Sequence, residues 1–252
     1  MARYNRIEDL CSYISNKQEA SVEELSEYFS VSKETIRRDL KQLSKDKKVI
    51  RTRGGAVAVD TKSVPDNRYF ARSEINPDAK RRIAKKVNDY IRNCYTLGFD
   101  SSTTTYEAVK LLKDKDKMTV ITNSAYAVCA LADSEFNIAA TGGFLDKSTL
   151  AFTGTQAKVA LDNYNIDIAL ISCTGLSRGA GFTDSVEDDA TFKQTMMKRA
   201  NKILLLADHS KFDRITFIKI GSFEQIDVLV TDVYPGKEWE EELKNAGVEL
   251  IY

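Results

Sequence analysis

The segment VSKETIRRDL, residues 31–40, combines a narrow apolar stripe with several charged side chains. On a helix that begins after Ser32, the apolar positions i, i+4 and i+7 share one face. These positions are Ile36, Leu40 and Leu43. The basic side chains fall on the opposite side of the same helix, namely Arg37, Arg38 and Lys41. The segment therefore predicts a helix that packs through one face and presents a basic surface on the other.

A shorter helix is predicted just upstream of this one. Residues 21–24, SVEE, have the pattern of a capping box, in which Ser21 accepts a hydrogen bond from the backbone N–H of Glu24. This pattern predicts a helix over residues 22–29, and Ser32 is then the N-cap of the next helix. Apolar spacing also predicts a first helix over residues 6–16. The sequence therefore predicts a helix-turn-helix.

A two-stranded wing is predicted after the basic helix. Val49 and Ile50 begin a strand, Gly54 and Gly55 make a tight turn, and residues 56–59 return. The whole chain has 37 basic and 37 acidic residues, but residues 33–53 hold nine basic and three acidic ones, a net charge of +6. A basic helix followed by a basic hairpin suits insertion into a DNA major groove. We therefore expect DNA contacts from Ser32, Lys33, Thr35, Arg37, Arg38, Lys41, Arg51 and Arg53.

The remainder of the chain predicts a second domain. Residues 60–78 are polar and irregular and contain Pro65 and Pro77, so we place a linker there, after a DNA-binding domain over residues 1–59. From residue 79 to residue 252, short apolar strands alternate with helical patterns. This alternation predicts a doubly wound, mostly parallel α/β domain that binds a small effector.

Polar residues follow several of the predicted strands. The loop DSSTTT, residues 100–105, lies between a strand and a helix, where hydroxyls and backbone N–H groups form a cradle for a phosphate. Ligands of open α/β sheets bind at the carboxyl ends of the strands, and no dinucleotide or nucleoside triphosphate motif is present. The expected effector-binding residues are Asp100, Ser101, Ser102, Thr103, Thr104, Thr122, Asn123, Ser124, Gly142, Gly143, Thr174 and Lys211.

Other features narrow the class of protein. The four cysteines are far apart, and neither a secretory segment nor an apolar run of membrane-spanning length is present. These features predict a cytoplasmic protein with reduced core thiols. Because His209 is the single histidine, a histidine-rich metal site is impossible. We expect no metal and no cofactor.

Residues 21–57 resemble the winged helix-turn-helix of DeoR-type bacterial transcriptional regulators. The resemblance lies in V-S-x-x-T-I-R-R-D-L followed by R-x-x-G-G-A, although Arg53 stands where many members carry His. The effector domain of this family is similar over residues 80–232 through K-R-R-I-A, D-S-S-T-T-T, T-N-S, T-G-G and D-H-S-K-F, with Ser102 in place of the usual Gly. The resemblance implies a homo-dimeric or homo-tetrameric repressor of a carbohydrate-utilisation operon, released from its double-stranded operator by a phosphorylated sugar. It also implies that the effector domain has the fold of a sugar-phosphate isomerase.

Two alternatives remain open at the level of sequence. One is a sugar-phosphate isomerase-like enzyme fused to a DNA-binding module, which needs a carboxylate base and a group that stabilises an enediolate. Asp100, Asp184 and Lys211 are the candidates for these roles. The other is a structural adaptor that binds DNA and senses nothing, which would leave the polar strand ends without a role.

Overall fold

The computed structural model describes residues 6–7, 9–10, 13–14, 17, 19–45, 49–52, 54–58, 68–91, 94–112 and 118–252. The chain divides into two compact units, Met1–Asp66 and Asn67–Tyr252. Among the described residues, no helix has both the length and the apolar character that crossing a bilayer requires.

The N-terminal unit is built around the basic helix predicted from the sequence. This helix spans Lys33–Lys45 and follows a shorter helix, Val22–Tyr28, while the described residues between positions 6 and 17 are helical as well. Three short strands, β1 (Glu19–Ser21), β2 (Val49–Arg51) and β3 (Gly55–Ala58), form an antiparallel sheet in the order β1-β3-β2. The winged helix-turn-helix is therefore confirmed, with β1 as an additional strand of the wing.

The apolar stripe of the basic helix forms the core of this unit. Ile36, Leu40 and Leu43 are at most 1% exposed and pack in one cluster with Leu10 and Leu25. The predicted caps are present, because Ser21 Oγ accepts from the N–H of Glu24 at 3.1 Å and Ser32 Oγ accepts from the N–H of Thr35 at 3.2 Å. Burial of one face therefore turns the opposite, basic face outward.

The C-terminal unit contains a parallel sheet, which has seven strands among the described residues, in the order β15-β14-β12-β9-β4-β5-β6. The strands of this unit are β4 (Thr96–Phe99), β5 (Thr119–Thr122), β6 (Asn137–Ala140), β7 (Phe144–Asp146), β8 (Ala151–Thr153), β9 (Ile166–Ser172), β10 (Gly175–Ser177), β11 (Gly181–Asp184), β12 (Ala200–Leu206), β13 (Ile218–Gly221), β14 (Val228–Val230) and β15 (Glu249–Ile251). The α-helices are Arg68–Ser73, Pro77–Tyr90, Thr103–Leu112, Ala125–Ala130, Thr155–Ala160, Glu187–Met197 and Lys237–Asn245. Short 3₁₀ helices span Leu161–Asn163, His209–Lys211 and Phe223–Gln225.

Helices cover both faces of the parallel sheet. In β12, Leu204 and Leu206 pack in one apolar cluster with the helices Pro77–Tyr90 and Thr103–Leu112. Leu205, between them, packs in the other cluster with the helix Glu187–Met197. Because neighbouring residues of a strand point to opposite faces, this alternation confirms the doubly wound, mostly parallel α/β fold.

Some local predictions were wrong. Residues 68–73, predicted to belong to an irregular linker, form a helix because Tyr69 is buried against Tyr126, with ring centroids 4.6 Å apart. The antiparallel hairpin β7-β8 and the sheet β10-β11-β13 were not predicted. Cys94 and Cys173 are buried thiols as expected, whereas Cys129 is exposed, and Cys11 lies outside the described residues.

Candidate functional sites

The first candidate site is a basic groove on the N-terminal unit, formed by the helix Lys33–Lys45 and strand β2. It is a surface depression of about 530 Å³, lined by Ser32, Glu34, Thr35, Arg37, Arg38, Lys41 and Arg51. The structure thus brings together six of the eight residues predicted to contact DNA. Lys33 is exposed beside the groove and forms an ion pair of 2.5 Å with Glu23, while Arg53 lies outside the described residues.

The charges of this groove are available to an anionic partner. Arg37 pairs with Glu34 at 3.4 Å, but both side chains are more than half exposed, so the pair is weak. Arg38 and Lys41 are exposed, and neither forms an ion pair with any of the described residues. A helix and a strand that present exposed basic side chains to one groove can hold DNA phosphates and reach base edges.

The second candidate site is a cavity of about 230 Å³ at one edge of the parallel sheet. It lies at the carboxyl ends of β4, β9 and β12, which are neighbours in the sheet. Strands β5 and β6 follow β4 in the chain and lie on one side of it in the sheet. Strands β9, β12, β14 and β15 lie on the other side of β4, so the direction in which strands are added reverses between β4 and β9. Such a switch point is where open α/β sheets bind their ligands.

The walls of the cavity combine hydroxyls, cations and carboxylates. Five of the predicted residues contribute to them: Ser102, Thr103, Thr104, Thr174 and Lys211. The lining residues that the prediction did not include are Arg68, Arg72, Ile75, Lys80, Thr149, Ser172, Cys173, Asp184, Ser185, Val186, Asp189, Asp208 and Arg214. Among these, Asp184 is a residue that the sequence predicts only for the alternative enzyme. Lys80 and Asp208 belong to the K-R-R-I-A and D-H-S-K-F segments, so the sequence did carry a signal for these two.

Asp100 organises the loop that carries the hydroxyls and does not line the cavity. Its Oδ1 accepts from the N–H of Ser102 at 3.0 Å and from Thr105 Oγ1 at 2.8 Å, and its Oδ2 accepts from the N–H of Ser172 at 3.1 Å. Ser101 is buried beside it and is likewise absent from the cavity wall. The carboxylate thus ties the end of β4 to the end of β9.

The hydroxyls after β4 divide into structural and free ones. Ser102 Oγ accepts from the N–H of Thr105 at 3.2 Å and so caps the helix Thr103–Leu112, which gives its side chain a structural role. Thr103 and Thr104 are 6% and 4% exposed and line the cavity, yet their hydroxyls bond to none of the described residues. These two hydroxyls are therefore free to donate to a ligand at the start of the helix.

Lys80 and Arg72 line the same cavity as these two hydroxyls. Lys80 is 4% exposed, and its ammonium donates to the carbonyl of Arg72. Burial lowers the pKa of Lys80 to about 8, although the neighbouring carboxylate of Asp208 opposes this effect. Arg72 also lines the cavity, and its Nη2 is buried without an acceptor among the described residues. Arg72 therefore adds a positive charge and an unpaired donor beside the cavity.

Asp184, which lines the cavity, forms a buried ion pair with Lys193. Burial raises the pKa of Asp184, but the Lys193 ammonium outweighs that effect and holds the pKa below its usual value. Lys193 also lies 3.4 Å from Asp100 Oδ2, and despite its burial these carboxylates raise its pKa. Thr174 Oγ1 donates to Asp184 Oδ1 at 3.0 Å, which gives Thr174 a partner within the protein. This network fixes the carboxylate of Asp184 at the cavity wall.

The remaining predicted effector residues lie elsewhere, because they lie at the carboxyl ends of β5 and β6, on the far side of the switch point. Thr122 Oγ1 accepts from the N–H of Ser124, and Ser124 Oγ caps the helix Ala125–Ala130, so both serve the local fold. Asn123 Nδ2 donates to the carbonyl of Phe152 at 3.2 Å. A Cβ at Gly143, where φ is +113°, would lie 2.6 Å from the carbonyl oxygen of Thr153, so this glycine serves backbone packing. Gly142, where φ is +67°, adopts the left-handed conformation beside it.

Comparison with known proteins identifies both units. Residues 6–62 match the DeoR-like helix-turn-helix domain, and residues 75–233 match the DeoR C terminal sensor domain. The chain belongs to the DeoR family of transcriptional regulators. The HTH-type transcriptional regulator YulB of Bacillus subtilis, described as uncharacterized, is 35% identical over 90% of this chain and 88% of its own. The glycerol-3-phosphate regulon repressor of Escherichia coli is 29% identical over 92% of this chain and 91% of its own.

A structural comparison returned a ribose 5-phosphate isomerase A from Methanocaldococcus jannaschii. It is 17% identical, with a TM-score of 0.42 over 54% of this chain and 55% of that chain. The sequence relatives of this DeoR-family protein are transcriptional regulators and not enzymes. The chain is therefore a DNA-binding transcriptional regulator with a C-terminal sensor domain. These relatives do not support the isomerase-like enzyme that was the alternative from the sequence.

Proposed function

We propose that this regulator represses a carbohydrate-utilisation operon and is released from its operator by a phosphorylated sugar. The name of one relative, the glycerol-3-phosphate regulon repressor, supports both repression and a link to a phosphorylated carbon source. Because operator DNA lies in the cytoplasm, the protein acts there.

The observation that carries the effector class is the set of unsatisfied donors around the cavity. The hydroxyls of Thr103 and Thr104 and the buried Nη2 of Arg72 lack acceptors among the described residues. Lys80 and Lys211 bring positive charge to the same cavity. A phosphate supplies several acceptor oxygens and two negative charges, which satisfies the donors and the cations together. The small volume of about 230 Å³ favours a small ligand.

The DNA-binding half of the proposal rests on the basic groove. Arg37, Arg38 and Lys41 would lie in the major groove, with Ser32, Lys33 and Thr35 holding a phosphate at the helix start. Arg51 and Arg53 would follow the neighbouring backbone along the wing. A homo-dimer or homo-tetramer would place two such helices on paired half-sites, which is the usual arrangement of helix-turn-helix proteins.

Effector control requires that the ligand bind more tightly to the form that does not hold DNA. A ligand with equal affinity for both forms would shift nothing, however tightly it bound. Within the sensor domain, Thr103, Thr104, Arg72, Lys80 and Lys211 would hold the phosphate. Asp100 would act indirectly, by fixing the loop.

A thermal-shift screen tests the effector class. The panel pairs each sugar phosphate with its free sugar and adds inorganic phosphate. At a ligand concentration of 100 Kd, we expect at least one phosphosugar to stabilise the fold by about 2.7 kcal/mol and so to raise the Tm, while its free sugar does not. Equal shifts with free sugars, or no shift with any phosphosugar, would contradict the proposal.

A further inference from the structure

Asp189 is a buried carboxylate that faces the effector cavity without a partner. It lies in the first turn of the helix Glu187–Met197, is 6% exposed and lines the cavity. None of the described residues donates a hydrogen bond to it or forms an ion pair with it. Glu187 and Asp188 of the same turn are exposed, so an acidic start to the helix does not by itself require a buried carboxylate.

The other carboxylates of the cavity are satisfied by the protein. Asp184 accepts from Thr174 and pairs with Lys193, and Asp208 Oδ1 accepts from Asn76 Nδ2 at 3.0 Å and from the N–H of Ser210 at 2.9 Å. Asp189 differs, and burial raises its pKa even though the Lys193 charge opposes that effect. A buried charged group without hydrogen bonds destabilises the fold, so the unliganded protein gains nothing from this carboxylate.

The charged groups around Asp189 differ in part from those around Lys80 in the proposed phosphate cradle. Lys80 is under the influence of Asp208 and Lys211, which follow β12, and it lies close to Thr103. Asp189 is under the influence of Lys193 and Asp184, and Arg72 acts on both Asp189 and Lys80. With the phosphate beside Lys80 and Thr103, Asp189 is left to the rest of the ligand.

The balance of charge indicates the chemistry of that remaining part. Among the described residues, five cations and three carboxylates line the cavity, while Lys193 and Asp100 beneath it cancel each other. Two positive charges remain, and a phosphate dianion neutralises them. The portion of the ligand that reaches Asp189 is then uncharged, and hydroxyl groups are the neutral donors that suit a carboxylate.

We propose that Asp189 accepts hydrogen bonds from hydroxyl groups of the sugar and thereby selects a polyhydroxylated phosphate ester over phosphate alone. This inference rests on the proposed phosphosugar effector and adds the residue that reads its sugar portion. The carboxylate has two oxygens, so it can accept from two neighbouring hydroxyls. The ligand supplies the donors that the protein does not.

Calorimetric titration of the full chain tests this assignment. The probes are inorganic phosphate, ribose 5-phosphate, glucose 6-phosphate and fructose 6-phosphate, and the variants are Asp189→Asn and the matched control Asp188→Asn on the exposed side of the same turn. For any phosphosugar that binds the wild type, we expect Asp189→Asn to weaken binding by about 10- to 100-fold. Inorganic phosphate should bind within about twofold of wild type, and Asp188→Asn should bind every probe normally.

Thermal unfolding without ligand separates recognition from a structural role. Because the carboxylate lacks partners, Asp189→Asn should leave the Tm unchanged or raise it. A clear drop in Tm, equal losses for phosphate and phosphosugar, or an unchanged phosphosugar affinity would overturn the role of Asp189. Failure of every phosphosugar to bind the wild type would instead refute the proposed function, and this inference with it.

Discussion

Replacing Thr104 by Val removes one hydroxyl from the proposed phosphate cradle with little change of volume. The Thr104 side chain is 4% exposed, lines the cavity and bonds to none of the described residues. The unliganded fold should therefore lose nothing. A hydrogen bond to a charged group contributes about 1.5–3 kcal/mol, so binding of a phosphosugar should weaken roughly 10- to 150-fold.

The neighbouring Thr105 supplies the matched control. Its Oγ1 donates to Asp100 and is completely buried, and it does not line the cavity. Thr105→Val should therefore cost about 1–3 kcal/mol of stability, which lowers the Tm by roughly 2–12 °C. Calorimetric titration and thermal unfolding of both variants measure the two effects. A Thr104→Val protein that binds phosphosugars normally, or that loses stability as Thr105→Val does, would refute the division between free and structural hydroxyls.

Three further predictions concern the charged residues of the two sites. Arg38→Ala should weaken operator binding by roughly 1–3 kcal/mol without lowering the Tm, because the side chain is exposed opposite the packed face of its helix. A gel shift at fixed salt measures this loss. An unchanged affinity would show that Arg38 does not contact the operator. Replacing Arg51 by Ala should weaken specific and random DNA alike and reduce the salt slope by about one unit, whereas a loss confined to the operator would mean that the wing reads sequence. Lys80, with a pKa of about 8 in the fold against 10.5 in a free chain, should lose its charge as the pH rises past 8, so phosphosugar affinity should fall between pH 7 and 9. Between pH 8 and pH 10.5 the unfolded chain binds more protons at Lys80 than the folded chain does, so the contribution of Lys80 to the free energy of unfolding should rise with pH in that range. Lys80→Met should remove both the fall in affinity and this rise in stability. If the affinity of Lys80→Met still fell with pH, another group would be responsible.

The features that could be predicted from the sequence are local ones. The spacing of Ile36, Leu40 and Leu43 fixes the buried face of the basic helix, and the position of Ser102–Thr104 after a buried strand locates the cradle. Both depend on residues within one or two turns of each other, so periodicity and capping rules suffice to find them.

The features that could not be predicted depend on strand order. Thr122 ends β5 and Gly142 follows β6, but these strands lie on the far side of the switch point, so both residues miss the cavity. Arg72 and Asp189 reach the cavity from helices that are distant in sequence, and neither belongs to a polar cluster at a strand end. Whether a buried polar group has a partner is a property of the packed structure alone.

Titration of a bound operator with phosphosugars tests the central claim most directly. An operator fragment selected in vitro with this protein would be followed by fluorescence anisotropy, with wild type and Thr104→Val compared against phosphosugars and their free sugars. A coupling of about 1–3 kcal/mol predicts that one phosphosugar weakens operator binding about 5- to 150-fold in the wild type. The response should shift to higher ligand concentration in Thr104→Val, while operator affinity without ligand stays the same. Release by free sugars as strong as release by their phosphates would contradict the account.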